Sequence, residues 1–494
     1  MWIRRGKEEK MKRNIIALSA HILLLGGVVA GFGISSMIRD DADEGQEKFT
    51  GELERNVTLR ILENDTAKET GYLDELLKAF NAAYADYGIV AKDANMDQYT
   101  DLETGGPYGY GPDVLYQAND AIMKYVAGRH ILPLPVEEMD CYSQTSENAF
   151  AAYRQKINGQ AFTFGVPVNI QQPLLFYRKD LLPENWKESH DKNGNDVPDM
   201  VESWTELFAY SKEVVEQSGG SKYGYMKSLN DGYFASGYFF SYGGYVFGGE
   251  DKNDVSDIGF SKNDSRLGGR IIRELASVMN LDCTEDTITR ASYSRMAQGD
   301  YFATMTTPDV RSLFVKELRL QYEKAGMSTE EALALAEENI VMKDVPLLPV
   351  SGDLGDRNGE QKKMTVMGGV NGYAISSYTK APNAALEFVK FATSYDMIKK
   401  RAEMLSISPA RKDVSEEQGG LNGMISENLD NGSIYVMPSV RELSQVWTPL
   451  QTFCAQLADD VLKNKGKFET LEAIQQGLEN VDRQIYDAIH TLSN

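Results

Sequence analysis

The stretch Val57-Thr58-Leu59-Arg60-Ile61 alternates apolar and polar residues, which is the pattern of a half-buried β-strand. After it, apolar residues recur every three or four positions and so lie on one face of a helix. These residues are Leu73, Leu76, Leu77, Phe80 and Tyr84. A strand followed by an amphipathic helix is the repeating unit of α/β proteins. This stretch therefore predicts an α/β fold.

The same alternation of strands and helices continues further along the chain. Residues 111–116 run from a Gly-Pro-Asp turn into an apolar strand, and extended apolar stretches follow at 166–168 and 174–177. Ser203, with Glu206 three positions later, predicts a capping box at the start of a helix. The pattern supports an α/β architecture over a chain that is long enough for more than one domain.

Charge and composition exclude some classes of function. The 494 residues include 73 acidic and 51 basic side chains, a formal net charge of −22. Such a field repels nucleic acid, so no nucleic-acid partner is expected. The three cysteines are widely spaced and predict no disulfide framework. The four histidines are not clustered, which gives little support for zinc or for histidine-based catalysis.

The N-terminus has a composition unlike that of the rest of the chain. Basic residues precede an apolar run from Ile15 to Met37, which is long enough to cross a bilayer of about 30 Å as a helix. Residues 1–38 are therefore predicted to be a membrane anchor, with a cleaved signal peptide as the alternative. Both interpretations place the remainder outside the cytoplasm, at the cell surface or secreted. Residues 39–55 are polar and contain glycine, which predicts a linker.

The twelve residues 191–202 predict a structural calcium site. Oxygen-bearing side chains occupy positions 1, 3, 5, 9 and 12 of this loop, and a backbone carbonyl is available at position 7, the spacing with which a loop surrounds a hard cation. The predicted ligands are Asp191, Asn193, Asn195, the carbonyl of Val197, Asp199 and Glu202. Asp196 replaces the usual glycine, and the two asparagines predict weaker affinity. A polar, solvated loop is the alternative.

Short motifs occur in a fixed order between residues 111 and 447. Residues 111–120 read GPDVLYQAND, residues 177–181 read YRKDL, residues 203–207 read SWTEL, and residues 230–234 read NDGYF. Together with a later strand, GGVNGYAI, and a late tryptophan, they resemble the solute-binding proteins of ABC sugar importers, of the maltose-binding type. The resemblance extends from about residue 55 to 494. The cation loop also occurs at this location in alginate-binding relatives.

The resemblance implies a two-lobed α/β clamp of the periplasmic-binding-protein type, crossed several times by the chain. One lobe would contain residues 55–168 and 341–392, and the other residues 169–340 and 393–494. An oligosaccharide would bind between the lobes and favour their closed arrangement. The closed clamp would then dock on the permease subunits of an ABC transporter. The protein is expected to act as a monomer and to carry no catalytic residues.

The resemblance also implies which residues contact sugar. Asp120 and Asp231 correspond to carboxylates that accept hydrogen bonds from sugar hydroxyls, and charged acceptors make the stronger bonds. Tyr233 and Trp447 correspond to rings that stack on pyranose faces. Asp65 lies near the end of the first strand and is a further candidate.

Three positions depart from the maltose-binding pattern. Gln117 stands where maltose binders have a stacking tryptophan, and Gln171 stands where they have a carboxylate. The tryptophan expected near Pro308 is absent, and Asp309 and Arg311 are found there. Because stacking rings are lost, these departures favour an oligosaccharide other than maltose that is recognised more through polar contacts.

Two other functions are compatible with the sequence. A membrane-tethered carbohydrate sensor or adhesion module would use the same clamp to report a ligand to a different partner. A glycan-cleaving enzyme would need two carboxylates about 5–10 Å apart. With 73 acidic residues such a pair is unavoidable. Its existence therefore does not distinguish an enzyme from a binding protein.

Overall fold

The structure is a computed structural model that describes residues 48–249, 252–284 and 286–492. The predicted anchor or signal segment, residues 1–38, lies outside these ranges, as does the first part of the predicted linker. None of the helices within the described ranges combines the length and the apolar character that a bilayer-spanning helix needs.

Most strands belong to two separate sheets. In chain order the strands are β1 (Thr58–Leu62), β2 (Val90–Asp93), β3 (Val114–Ala118), β4 (Arg154–Ile157), β5 (Gln160–Thr163), β6 (Val166–Gln171), β7 (Leu174–Arg178), β8 (Tyr223–Tyr225), β9 (Tyr245–Gly248), β10 (Asp254–Gly259), β11 (Tyr301–Thr306), β12 (Ile340–Lys343), β13 (Leu348–Pro349), β14 (Gln361–Lys362), β15 (Val366–Ile375), β16 (Ser408–Pro409) and β17 (Ile434–Val436).

The larger sheet has seven strands and forms the centre of what we call the first lobe. Its order is β16-β6-β15-β3-β1-β2, with β17 paired to β15. β1 is parallel to β2 and β3, while β15 is antiparallel to both β3 and β6. The carboxyl ends of β1, β3 and β6 therefore lie along the same edge of the sheet. Every residue of β15 is buried, which fits its central position.

The smaller sheet has four strands in the order β12-β7-β11-β8 and forms the centre of the second lobe. The chain passes from the first sheet to the second between β6 and β7, and returns between β12 and β15. The strands predicted at 166–168 and 174–177 are therefore confirmed, but they belong to different sheets. β7 is buried along its whole length, as an apolar strand between two neighbours should be.

Helices cover these sheets, as the predicted α/β architecture requires. They are α1 (Asp65–Glu69), α2 (Tyr72–Ala83), α3 (Leu102–Gly105), α4 (Asn119–Ala127), α5 (Glu147–Ala151), α6 (Trp186–Ser189), α7 (Asp199–Glu202), α8 (Trp204–Gln217), α9 (Gly232–Phe240), α10 (Arg266–Ala276), α11 (Asp286–Gln298), α12 (Arg311–Lys324), α13 (Thr329–Asn339), α14 (Pro382–Ala392), α15 (Tyr395–Leu405), α16 (Lys412–Gln418), α17 (Gly420–Asp430), α18 (Trp447–Leu462) and α19 (Leu471–Leu492). Helix α2 confirms the predicted amphipathic helix, since Leu73, Leu76 and Phe80 are buried.

The start of α8 differs from the predicted capping box. The Ser203 hydroxyl does cap the helix, because it accepts a hydrogen bond from the Thr205 N–H at 3.3 Å. The Glu206 carboxylate, however, pairs with Lys192 at 2.8 Å and with the Arg357 guanidinium at 3.0 Å. Two cations are better partners for a carboxylate than a backbone N–H. Glu206 therefore does not accept the hydrogen bond from the Ser203 N–H that a capping box requires, and this part of the prediction was wrong.

The predicted lobe boundary at residue 393 also needs correction. Helix α15 packs on α2 of the first lobe. Its side chains Met397, Ile398 and Leu405, together with Val414, belong to the buried cluster on one face of the larger sheet. The first lobe therefore extends beyond residue 392, because the apolar face of α15 is buried against that sheet.

The last residues of the predicted linker 39–55 are packed on the first lobe. The Glu54 carboxylate accepts hydrogen bonds from the N–H groups of Asn383 and Ala384, at 3.2 and 2.7 Å, in the first turn of α14. Phe49 and Leu53 pack against the core of the same lobe. The polar residues that predicted a linker here thus include Glu54, whose carboxylate pairs with backbone N–H groups at a helix N-terminus.

Candidate functional site

A cavity of about 540 Å³ lies between the two lobes. It is formed where the carboxyl ends of β1, β3 and β6 meet, the edge at which open α/β sheets place their ligands. The first lobe provides most of its lining, and Asp309 of the second lobe closes one side. The residues that line it are Asn64, Thr66, Gln98, Tyr99, Tyr116, Gln117, Ala118, Asp120, Ala121, Lys124, Tyr125, Gln171, Asp309 and Asn371.

Three of the sequence-predicted residues line this cavity together. Gln117 lies near the end of β3, Asp120 lies in the first turn of α4, and Gln171 is the last residue of β6. Asp65 lies beside the cavity, where its carboxylate accepts a hydrogen bond from the Gln98 side-chain amide at 3.2 Å. The topology of the sheet explains this grouping, because these residues follow strands that end at one edge.

The wall of the cavity is rich in hydrogen-bond acceptors. Burial raises the pKa of Asp120, against the effect of nearby backbone N–H groups and of Lys124. The side-chain oxygens of Gln117 and Asn371 are buried and have no hydrogen-bond partner among the described residues. An unpaired buried acceptor costs free energy. The carboxylates of Asp120 and Asp309 also line the cavity, so a ligand that donates hydrogen bonds suits this wall better than one that only accepts them.

The other predicted residues form a group on the second lobe. Asp231 caps α9, and its carboxylate accepts a hydrogen bond from the Tyr233 N–H at 3.3 Å. Trp447, the first residue of α18, packs so closely on Gly232 that an added Cβ there would lie 3.2 Å from the indole. None of these three predicted side chains is part of the cavity lining. Tyr233 and Trp447 are both half-buried.

Carboxylates of both lobes act electrostatically on the Tyr233 hydroxyl. Burial raises its pKa, and the negative charges of Asp309, Asp120 and Asp231 raise it further. Tyr233 is thus influenced both by Asp231 of its own group and by Asp120 and Asp309 of the cavity lining. By contrast, Tyr242 donates a hydrogen bond to the Pro349 carbonyl at 2.7 Å and belongs to the core.

A buried lysine supports the group on the second lobe. The Lys227 ammonium lies 4.0 Å from the Asp231 carboxylate and 3.3 Å from the centre of the Phe234 ring. Burial lowers the pKa of Lys227 to about 8, and Asp231 opposes this effect. The contact with the ring is a cation–π interaction. Sequence reasoning missed Lys227, because one lysine before a loop has no distinctive signal.

Sequence reasoning also missed part of the cavity wall. The sequence indicates Asp309 only as a residue that replaces a tryptophan, and it gives no signal for the loop with Gln98 and Tyr99. Asp309 follows β11, whose carboxyl end lies at the crossover between the lobes. An acidic residue shortly after the apolar stretch 301–305 was the signal that could have found it.

The predicted calcium loop has its polar side chains turned inward. The Asp191 carboxylate accepts hydrogen bonds from the N–H groups of Asn195 and Asp196, at 3.0 and 3.1 Å. The side-chain amides of Asn193 and Asn195 donate to the Glu202 carboxylate at 3.1 and 2.8 Å. Asp196, at the position usually held by glycine, does adopt the left-handed conformation, with φ 61°. Asp191, Asn195, Asn193 and Glu202 are therefore linked to one another by hydrogen bonds within the loop.

The described residues contain no cluster of three or more His, Cys, Asp or Glu side chains that could hold a metal ion. The loop 191–202 offers three carboxylates to the predicted site, those of Asp191, Asp199 and Glu202, and these three do not form such a cluster. The donor set of the loop consists of oxygens alone, which suits calcium. Calcium binding stays a prediction.

Two α/β lobes joined by crossing strands, with a polar cavity between them, define the architecture of a two-lobed binding protein. The chain belongs to the family described as bacterial extracellular solute-binding protein, whose sequence model matches residues 75–422. Membership of this family implies a location outside the cytoplasm.

Two characterised relatives match over nearly their whole length. The galactooligosaccharide-binding protein of Bacillus subtilis (strain 168) is 24% identical over 429 residues, which cover 86% of this chain and 89% of the relative. The maltodextrin-binding protein of the same organism is 22% identical over 444 residues, which cover 89% and 90%.

Solved structures confirm the fold. The maltose-binding protein of Listeria monocytogenes in complex with maltose has a TM-score of 0.66 at 20% identity, over 88% of this chain and 98% of that one. A cyclo/maltodextrin-binding protein in complex with maltotetraose has a TM-score of 0.65 at 19% identity, over 89% and 99%. The predicted two-lobed periplasmic-binding-protein fold is therefore correct.

Proposed function

We propose that this protein binds an oligosaccharide between its two lobes and delivers it, chemically unchanged, to the permease of an ABC transporter. The observation that carries the proposal is the cavity between the lobes, with Gln117, Asp120 and Gln171 on one side and Asp309 on the other. The galactooligosaccharide-binding and maltodextrin-binding relatives support this class of ligand.

The chemistry of the cavity suits a neutral sugar. Sugar hydroxyls are donors and acceptors, so they can pair both with carboxylates and with the amide groups of glutamine and asparagine. Carboxylates make the stronger bonds, and we assign this role to Asp120, Asp309 and Asp231. Tyr233 and Trp447 would cover the apolar face of a sugar ring as the second lobe closes.

Calorimetric titration with neutral oligosaccharides tests the proposal. The two series to compare are maltodextrins and galactooligosaccharides, with uronic oligomers as a third. We expect saturable binding of at least one neutral series, accompanied by compaction in small-angle scattering. The absence of binding to every oligosaccharide would overturn the proposal. Release of new reducing ends from a bound glycan would instead indicate the glycan-cleaving enzyme.

The same chain can serve a transporter or a sensor, and cross-linking separates the two. We propose an uncleaved N-terminal anchor in residues 1–38, which would hold a monomeric clamp at the outer surface of the membrane. Cross-linking in the presence of ligand should then capture a permease subunit. Capture of a sensor kinase would favour the tethered sensor.

We also propose that residues 191–202 hold a structural calcium ion. The side chains of Asp191, Asn193, Asn195, Asp199 and Glu202 and the carbonyl of Val197 would be its ligands. The ion would stabilise the loop by replacing hydrogen bonds among these groups with stronger ionic contacts. The loop lies before α8 of the second lobe and outside the cavity lining, so we expect an effect on stability rather than on sugar specificity.

A further inference from the structure

The loop between β2 and α3, residues 94–101, forms one lip of the cavity. Two of its side chains, Gln98 and Tyr99, are part of the lining. Tyr99 nevertheless has 82% of its surface exposed, the highest value among the exposed large apolar and aromatic residues of the described chain. Its ring therefore stands at the mouth of the cavity and not in its interior.

Hydrogen bonds fix the backbone of this lip in place. The Gln98 side-chain amide exchanges two hydrogen bonds with Asp65, at 3.3 Å to its N–H and at 3.2 Å to its carboxylate. The Gln98 carbonyl accepts a hydrogen bond from the Gln117 side chain at 2.9 Å. The Tyr99 N–H donates to the Asp97 carboxylate at 2.8 Å. The lip is thus joined to the cavity wall at Gln98, the residue directly before the tyrosine.

The ring of Tyr99 itself has little to hold it. Among the described residues it takes part in no aromatic stacking pair, no cation–π contact and no side-chain hydrogen bond. Leaving a ring of this size in water forgoes the free energy that its burial would provide. A fixed backbone that presents an uncovered aromatic ring beside a cavity is what a ligand-stacking surface requires.

We propose that Tyr99 is an aromatic platform that stacks on a sugar unit outside the enclosed part of the cavity. This inference rests on the proposed binding of oligosaccharides and specifies their length. A short oligosaccharide would fill the cavity and leave Tyr99 uncovered, whereas a longer one would extend over the lip and cover it. The platform thereby makes the protein selective for longer chains. Asp65 and Gln98 act as positioning residues for it.

The chain contains a matched control. Tyr108 has 78% of its surface exposed and lies in a short 3-10 helix of the first lobe, Gly106–Tyr108, but it does not line the cavity. Removing either ring changes a solvent-exposed tyrosine and should hardly affect folding. Only removal of Tyr99 should affect ligand binding.

The test is calorimetric titration of the full-length wild type and of the variants Tyr99→Ala, Tyr99→Trp and Tyr108→Ala. The ligands are neutral oligosaccharides from two to six units, in both the maltodextrin and galactooligosaccharide series. For wild type and Tyr108→Ala, affinity should rise with chain length. Tyr99→Ala should lose about 5- to 150-fold in affinity for the longest bound oligomer and remain within twofold for the shortest. Tyr99→Trp should retain the preference for length.

The outcomes separate this inference from the proposed function. If the wild type binds none of these sugars, both fail. If the wild type binds but Tyr99→Ala matches it at every length, only the platform is refuted. The same holds if Tyr99→Ala weakens all lengths equally, because Tyr99 would then belong to the central site.

Discussion

The Glu63 carboxylate and the Arg401 guanidinium form a bidentate ion pair that is completely shielded from solvent. The two hydrogen bonds measure 2.7 and 3.0 Å, and the side chains are 0% and 1% exposed. Arg401 also lies over the rings of Tyr72 and Tyr116, 4.8 and 4.1 Å from their centres. Because Glu63 follows β1 directly and precedes the cavity residue Asn64, this pair attaches helix α15 to the edge of the sheet that forms the cavity.

Breaking this pair should destabilise the protein strongly. Arg401→Met leaves the Glu63 carboxylate buried without its cation, which typically costs about 3–5 kcal/mol. We expect a loss of this size in the free energy of unfolding, measured with urea. Lys400→Met is the control, since the exposed Lys400 pairs with the exposed Glu75 and should cost less than about 1 kcal/mol. Equal losses in the two variants would contradict the assigned role of the buried pair.

The ion pair shows where prediction from the sequence stops. Glu63 and Arg401 are 338 positions apart, and no local pattern connects them. Periodicity did predict the elements on either side of Glu63, the strand β1 and the helix α2, because alternation and helical spacing act over a few residues. It could not show that α15 packs beside them, so the predicted boundary at residue 393 was misplaced.

The residues of the cavity also divide into those that the sequence predicts and those that it does not. Gln117, Asp120 and Gln171 were identified through the resemblance to sugar-binding proteins, and the structure brings them together. Asp309 belongs to a short 3-10 helix and Tyr99 to a loop, and the positions of both depend on long-range contacts. In the case of Tyr99 the decisive contact is between Gln98 and Asp65, 33 positions apart. Residues fixed by such contacts leave no periodic trace in the sequence.

Asp309→Asn should weaken sugar binding. Asp309 faces the cavity from the second lobe, and replacing a charged acceptor by a neutral one lowers the strength of its hydrogen bond. We expect a loss of about 1 kcal/mol, roughly fivefold in affinity, by calorimetry. Asp74→Asn changes an exposed carboxylate on α2 and serves as the control. An unaltered affinity for Asp309→Asn would show that this carboxylate does not contact the ligand.

Trp447→Ala should also weaken binding, by about 1–3 kcal/mol if stacking on sugar resembles stacking on nucleic-acid bases. Trp447→Phe keeps an apolar face and should lose less. Because Trp447 packs on Gly232, the melting temperature of each variant must be measured beside its affinity. A fall in the melting temperature without any change in affinity would indicate that Trp447 acts only in packing.

Glu274 should make stability depend on pH. Burial raises the pKa of Glu274 from 4.5 to about 7, against the hydrogen bond from the Leu354 N–H. Between these values the folded protein binds a proton that the unfolded chain releases, so the contribution of Glu274 to stability falls as pH rises from about 5 to about 7. Urea unfolding of wild type and Glu274→Gln should differ by up to about 1.4 kcal/mol per pH unit in this window. Parallel curves would contradict the raised pKa.

Calcium should raise the melting temperature of the wild type, and a chelator should lower it. Asp191 and Asp199 provide the two carboxylates at positions 1 and 9 of the loop, so Asp191→Ala combined with Asp199→Ala removes charge that a divalent cation needs. The double variant should melt lower than the wild type in calcium and show no response to chelator. Asp353→Ala together with Asp356→Ala, two acidic residues of a loop remote in sequence, should leave the response intact.

Because hydrogen bonds inside the calcium loop also depend on Asp191, a low melting temperature of the double variant alone is not sufficient evidence. The decisive quantity is the difference between calcium and chelator, and a wild type that melts identically in both would show that the loop is held by its own hydrogen bonds.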